Sequence, residues 1–329
     1  MRLEDSSASS PATLLRAQAC LLGQLSGDAL GSQVEFQSPA EIRQSHPVGV
    51  RDLADGGTYN TIAGQPTDDS ELALLLARLL IDKDRYDPAA ALEAYVYWHN
   101  SGPFDEGHTI GNSLGGHIDP TSQSNGALMR ISPLGIFGSR HELDRPTLAR
   151  LASWADQDAA LTHPHPVCRQ ANALYVMAIA WSVRHGATPA DLYARILDWS
   201  RELNVAPTLS SAITGAADAP PPDYLHHQGW VLIALRNALW QLLHAPNLEE
   251  AVVNTVMRGG DTDTNAAICG ALLGAVHGGD AVPSRWVDTI LSCRPAAGDS
   301  RVHRPRPECF WPVDALQLAE RLVTSPPTP

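Results

Sequence analysis

The chain has 329 residues, 44% hydrophobic and only 18% charged, which is ample apolar material for a buried core in one large domain. Its 36 acidic residues against 23 Lys and Arg give a formal charge of −13, which excludes broad contact with nucleic-acid phosphates, because that contact needs a basic face. The start Met1-Arg2-Leu3-Glu4-Asp5 lacks signal-peptide order, Leu72–Ile81 is too short to span a bilayer, and five scattered cysteines form no C-x-x-C pair; a soluble cytoplasmic protein with no membrane or nucleic-acid partner is expected.

In chain order, apolar residues recur at the three-to-four-residue spacing of helices. Leu14, Leu15, Leu21, Leu22 and Leu25 predict a first helix after Pro11, a favoured helix-start residue. Glu71–Ile81 and Pro88–Trp98 follow, then Arg169–Arg184, Pro189–Leu203, Gly229–His244, Leu248–Met257, Ala266–Val276 and Val313–Val323. Alternating strand-like runs are nearly absent and there is no internal repeat. The expected fold class is all-α, a single multi-helix domain over residues 11–324. Proline-bearing loops are expected at 216–227 and 294–312, with disordered tails at 1–10 and 325–329.

Four segments depart from plain helical texture: Gly27-Asp28-Ala29-Leu30-Gly31 with Glu35, Thr67-Asp68-Asp69-Ser70-Glu71, Ser122 to Arg130, and Gly259-Gly260-Asp261-Thr262-Asp263-Thr264-Asn265. The second and fourth each place two carboxylates and a hydroxyl at a helix start. Asp68 with Glu71 resembles a capping box, and the alternative reading makes the segment's carboxylates and hydroxyl metal ligands. Asp261 to Thr264 offers more oxygens than one cap needs, and these are hard donors of the kind Mg²⁺, Mn²⁺ or Ca²⁺ takes. An EF-hand is excluded, since Ala266 and Leu272 stand where that loop needs Gly and Glu. Two such segments meeting across a cleft could hold two metals about 3.5–4 Å apart.

In this order the four segments resemble the ADP-ribosylglycohydrolase family, which includes the dinitrogenase reductase-activating glycohydrolase and the ADP-ribosylarginine hydrolases. The matching stretches run from Gly23 to Gly278, and Gly259 to Ala267 is the most specific of them. The resemblance implies a compact all-α fold and two divalent metal ions, Mg²⁺ or Mn²⁺, held by Thr67, Asp68, Asp69, Asp261, Asp263 and Thr264. It implies acidic active-site residues at Glu35 and Asp105. It also implies a diphosphate-cradling loop at Ser122, Ser124, Asn125 and Gly126, with ligand contacts from His163 and Trp230. The family form of that loop is Ser-x-Gly-Asn-Gly, and Ser124 replaces its first glycine. Trp230 stands where many members have Tyr.

The implied reaction is hydrolysis of the bond between ADP-ribose and a modified side chain, most readily arginine, with an ADP-ribosylated protein as partner and ADP-ribose as product. Serine-linked, nucleic-acid-linked and polymeric ADP-ribose are alternatives within that chemistry. An immunity protein that blocks an ADP-ribosylating toxin and a nucleotide phosphohydrolase are the competing classes. Asp28 reads as structural, organising the turn beside the metals, and Arg130 as either a ligand contact or a structural arginine beneath the loop. A monomer is expected.

Overall fold

The computed structural model describes residues 10–324; residues 1–9 and 325–329, in the expected tails, lie outside them, and Ser10 is the N-cap of the first helix. Fifteen α-helices occur among the described residues: α1 (Pro11–Gly31), α2 (Pro39–Ser45), α3 (Asp68–Lys83), α4 (Pro88–Asn100), α5 (His108–Leu114), α6 (Ser132–Gly138), α7 (Arg145–Ala160), α8 (Pro166–His185), α9 (Pro189–Glu202), α10 (Pro207–Gly215), α11 (Val231–His244), α12 (Leu248–Val256), α13 (Thr262–His277), α14 (Ser284–Ser292) and α15 (Ala315–Thr324). No strand occurs among these residues, only two isolated β-bridges, Gly56–Thr61 and Ser124–Trp230. The chain is all-α, as its periodicity predicts. Among the described residues no helix is long and apolar enough to cross a membrane. All five cysteines are free.

Proline opens α1, α2, α4, α8, α9 and α10, where its missing N–H would have had no intrahelical partner. The periodicity does not predict α2, α5, α6, α7, α10 or α14. It also starts α8 at Arg169 and α13 at Ala266, whereas the helices begin at Pro166 and Thr262.

The centre of the molecule is the pair α1 and α13. Around it α8, α11 and α12 cover α13, α14 and α15 lie against α1, and α7 covers α8. Both central helices are buried nearly all round, with Gln24, Ser26 and Asp28 on α1 and Thr262 to Val276 on α13 inside, the signature of core rather than surface helices. Their approach rests on small residues. A Cβ placed on Gly27 would lie 2.2 Å from the Ala266 carbonyl oxygen, and one on Gly31 would lie 2.4 Å from the Asp263 Cα. This contact brings the end of α1 against the start of α13. Gly27→Ala gains about 1 kcal/mol of helix propensity, yet is expected to destabilise the protein by about 1–3 kcal/mol net through overpacking. Urea unfolding checks this as a lower midpoint at unchanged slope.

Candidate active site

The site forms where α1, α3 and α13 meet. Asp28, fully buried on α1, accepts the Thr67 N–H at 3.2 Å, the Thr67 hydroxyl at 2.8 Å and the Ser70 N–H at 3.2 Å. It thereby satisfies the start of α3, whose N-cap Thr67 makes no capping bond of its own. The capping-box alternative does not form: the Glu71 carboxylate instead accepts from Arg306 Nε and Nη2, each at 2.8 Å, and from Trp98 Nε1 at 2.7 Å. The Asp261 side chain likewise makes no capping bond at α13. Asp69 faces the start of α13 across this junction.

Asp69 Oδ2 lies 3.1 Å from the Thr67 hydroxyl oxygen and accepts the Thr264 hydroxyl at 3.4 Å, joining α3 to α13. Asp68 accepts the Gly107 N–H at 3.2 Å, and Asp263 Oδ1 the Thr264 N–H at 2.9 Å. Asp69 Oδ1, Asp263 Oδ2 and Glu35 Oε2 are buried with no hydrogen-bond partner among the described residues. Glu35, Asp105 and Asp263 each aim an oxygen at one focus, all within 4.8 Å of one another. The two acids expected at the reacting bond thus share a focus with one of the expected ligands.

The loop after α1 is docked by two backbone bonds, Phe36 N–H to Gly260 O at 2.8 Å and Gly260 N–H to Gln37 O at 3.0 Å. Phe36 takes φ 65° there, a conformation that costs a non-glycine residue about 1–3 kcal/mol. Gly259, at φ 72°, leaves no room for a Cβ, which would stand 2.4 Å from the Gln37 oxygen.

Burial first and neighbouring carboxylates second raise Asp68, Asp69 and Asp263 well above the usual carboxylate range. Burial, then Asp105 and Asp261, pushes Glu35 up to about 8. Asp105 rises to about 6, mainly through burial, with the Tyr59 hydroxyl opposing the shift. A crowd of buried carboxylates with unpartnered oxygens is unstable unless protons or cations neutralise it. The donor set is all oxygen, which suits a hard divalent cation.

Above the carboxylates lies a cavity of about 420 Å³. Glu35, Asp68, Asp105, Asp261, Asp263 and Thr264 line one side; Ser124, Asn125, Gly126 and His163 line the other. Asn125 Nδ2 donates to Asp261 Oδ2 at 2.7 Å, so the two sides are tied together. Thr67 and Asp69 are fully buried and do not line the cavity. Ser122 stands behind Ser124, its hydroxyl 2.8 Å from Thr109 Oγ1. Trp230 lines an adjoining hollow of about 340 Å³ beside His227, its Nε1 donating to Gln123 at 3.1 Å. Arg130 is fully buried, paired with Asp158 at 3.0 Å and absent from the cavity wall. It is a structural arginine beneath the loop.

The pattern of the ADP-ribosylglycohydrolase family matches residues 9–325. The chain belongs to the ADP-ribosylglycohydrolase family. It is 29% identical over 316 residues to the ADP-ribosyl-[dinitrogen reductase] glycohydrolase of Rhodospirillum rubrum, covering 92% of this chain and 95% of that one. It is 28% identical over 292 residues to the ADP-ribosylarginine hydrolase of Pseudomonas putida, covering 84% and 74%. A solved ADP-ribosylglycohydrolase-related protein complex superposes with TM-score 0.76 at 26% identity, over 96% of this chain and 100% of that chain. Sequence reasoning missed Phe36, Gly107 and Gln228 of the cavity wall and Tyr59 beside Asp105. Each is a single residue in an irregular segment, and no spacing rule marks it.

Proposed function

We propose that the protein removes ADP-ribose from arginine side chains of modified proteins. In this reading two divalent cations, Mg²⁺ or Mn²⁺, are held by Thr67, Asp68, Asp69, Asp261, Asp263 and Thr264. The observation that carries it is the meeting of two helix starts whose N-cap residues, Thr67 and Asp261, make no side-chain capping bond and whose buried oxygens at Asp69 Oδ1 and Asp263 Oδ2 lack partners among the described residues. The names of the Pseudomonas and Rhodospirillum relatives support hydrolysis and, for the former, the arginine linkage.

When bound, the cations supply Lewis-acid stabilisation at the ribose. The chain's own residues do the rest. Glu35 and Asp105, together at the carboxylate end of the cavity, move the proton between the attacking water and the leaving nitrogen, a role that typically contributes about 10²–10⁴-fold. Ser124, Asn125, Gly126 and His163 hold the diphosphate end of the ligand. Among the described residues no lysine or arginine lines the cavity, so backbone N–H groups and hydroxyls carry that contact. Gly126 keeps the wall thin, because a Cβ there would meet Ile110 Cδ1 at 2.9 Å and His163 at 3.2 Å.

The test is release of labelled ADP-ribose from an arginine-modified protein, with Mg²⁺ and then with EDTA, beside a serine-modified peptide. Metal-dependent release of intact ADP-ribose from the arginine substrate is expected. Release from serine alone moves the linkage, and phosphate or AMP as product would overturn the glycosidic reading. No release from either substrate by the metallated protein leaves a toxin-blocking role as the better account.

A further inference from the structure

The wall of the cavity opposite the carboxylates carries a chain of hydrogen bonds whose direction is set from its buried end. Arg130 Nη1 donates to Thr162 Oγ1 at 2.9 Å, and a guanidinium can only donate. Thr162 is fully buried, and among the described residues its hydroxyl has one further hydrogen-bond neighbour, His163 Nδ1 at 2.7 Å. If the ring donated to the hydroxyl, the threonine proton would be buried and unpaired, at a cost of about 1–3 kcal/mol. The hydroxyl therefore donates to Nδ1, and the neutral ring carries its proton on Nε2. Burial and the Arg130 charge keep it neutral, lowering the imidazole to about 3.

His163 Nε2 lies 2.8 Å from Ser124 Oγ. The serine oxygen accepts that proton, and the Ser122 hydroxyl approaches it as a second donor at 3.4 Å. Accepting from the ring, the Ser124 hydroxyl has its own proton left for whatever occupies the cavity. In the same turn, the N–H groups of Gly126 and Ala127 meet no acceptor among the hydrogen bonds of the described residues, while Leu128 and Met129 both donate to Asn125 O.

We propose that Ser124 is a specificity-determining donor, its hydroxyl aimed by the Arg130–Thr162–His163 relay at an anionic oxygen of a diphosphate ligand. In the form of the loop that the family resemblance implies, this position is a glycine. A glycine would offer no donor and would leave His163 Nε2 without its partner. Naming the ligand as ADP-ribose rests on the proposed function; the donor geometry does not.

Calorimetric titration with ADP-ribose and, separately, with ADP tests the assignment. Ser124→Ala is expected to weaken both by about ten- to a hundred-fold, as for one hydrogen bond to a charged group, and to lower the unfolding midpoint modestly, because buried His163 Nε2 loses its acceptor. Affinities within about two-fold of wild type for both ligands overturn the role of Ser124. Wild-type protein that binds ADP but not ADP-ribose overturns the proposed substrate and leaves Ser124 measurable on ADP. Binding of neither overturns both. Independently, the ¹⁵N shifts of the His163 ring are expected to show the Nε2–H tautomer; the Nδ1–H tautomer overturns the relay whatever the affinities.

Discussion

Asp263→Asn is expected to lower kcat for ADP-ribose release by on the order of 10²–10³-fold, the effect of removing one electrostatic group from the reacting centre, and to raise the unfolding midpoint in EDTA. The two signs together make this a sharp test. Asparagine preserves the volume, and its side-chain oxygen can still accept the Thr264 N–H that Asp263 Oδ1 holds at 2.9 Å. What it removes is the charge at Oδ2, which is buried without a partner and shares its focus with Glu35 and Asp105. In the metal-free protein that charge is a liability, since burial first, and then Glu35, Asp69, Asp261 and Asp105, push the Asp263 carboxyl toward its protonated form. Relieving it stabilises the fold, as removal of a strained functional group commonly does. A residue that merely supported the start of α13 would give the opposite result. Retained turnover with a lowered midpoint in EDTA would show that Asp263 is structural and that the carboxylates do not form the working centre.

The fold was legible where helices are long and their apolar spacing repeats over several turns. The α1, α3, α8 and α13 patterns are of this kind, and they are also the elements that surround the site. Short helices such as α2, α5 and α6 complete too few turns for a period to show. The sixteen residues of α7 escaped for another reason: much of its buried face is alanine (Ala152, Ala155, Ala159), which gives little contrast with its polar neighbours. The carboxylate segments could be found because paired acids at a helix start are more than a cap requires. Their partners could not. Asp28 was readable as structural, but its capping of α3 from another helix depends on the glycine contact between α1 and α13. Tyr59 and Gly107 reach the site through loops, and Arg306 fastens Glu71 and the Ser101 carbonyl from a segment that reads only as a proline-bearing loop. Such contacts join residues far apart in the chain, and local pattern carries no record of them.

The metal-free protein is expected to lose stability as the pH rises from about 4 to about 8, and Mg²⁺ or Mn²⁺ is expected to restore more of it at the upper end than at the lower. The sign follows from the direction of the shifts. Asp28 is held up at about 7 and Glu35 at about 8 in the fold, both chiefly by burial, whereas in the unfolded chain they ionise at ordinary carboxylate values. Between those limits the folded state binds more protons than the unfolded one, so unfolding releases protons and stability falls with pH. Each retained proton contributes a slope of about 1.4 kcal/mol per pH unit. Below pH 4 both states are protonated at these groups and the slope vanishes. A bound cation supplies the positive charge that the protons supplied and binds best when the carboxylates are ionised, so its stabilisation grows as the pH rises. Calorimetric unfolding at pH 5, 6.5 and 8, in EDTA and in Mg²⁺, checks both halves. A midpoint in EDTA that stays level or climbs across this range would mean that the carboxylates are not crowded in the way their burial and unpartnered oxygens require, and the centre would then have to be sought elsewhere in the fold.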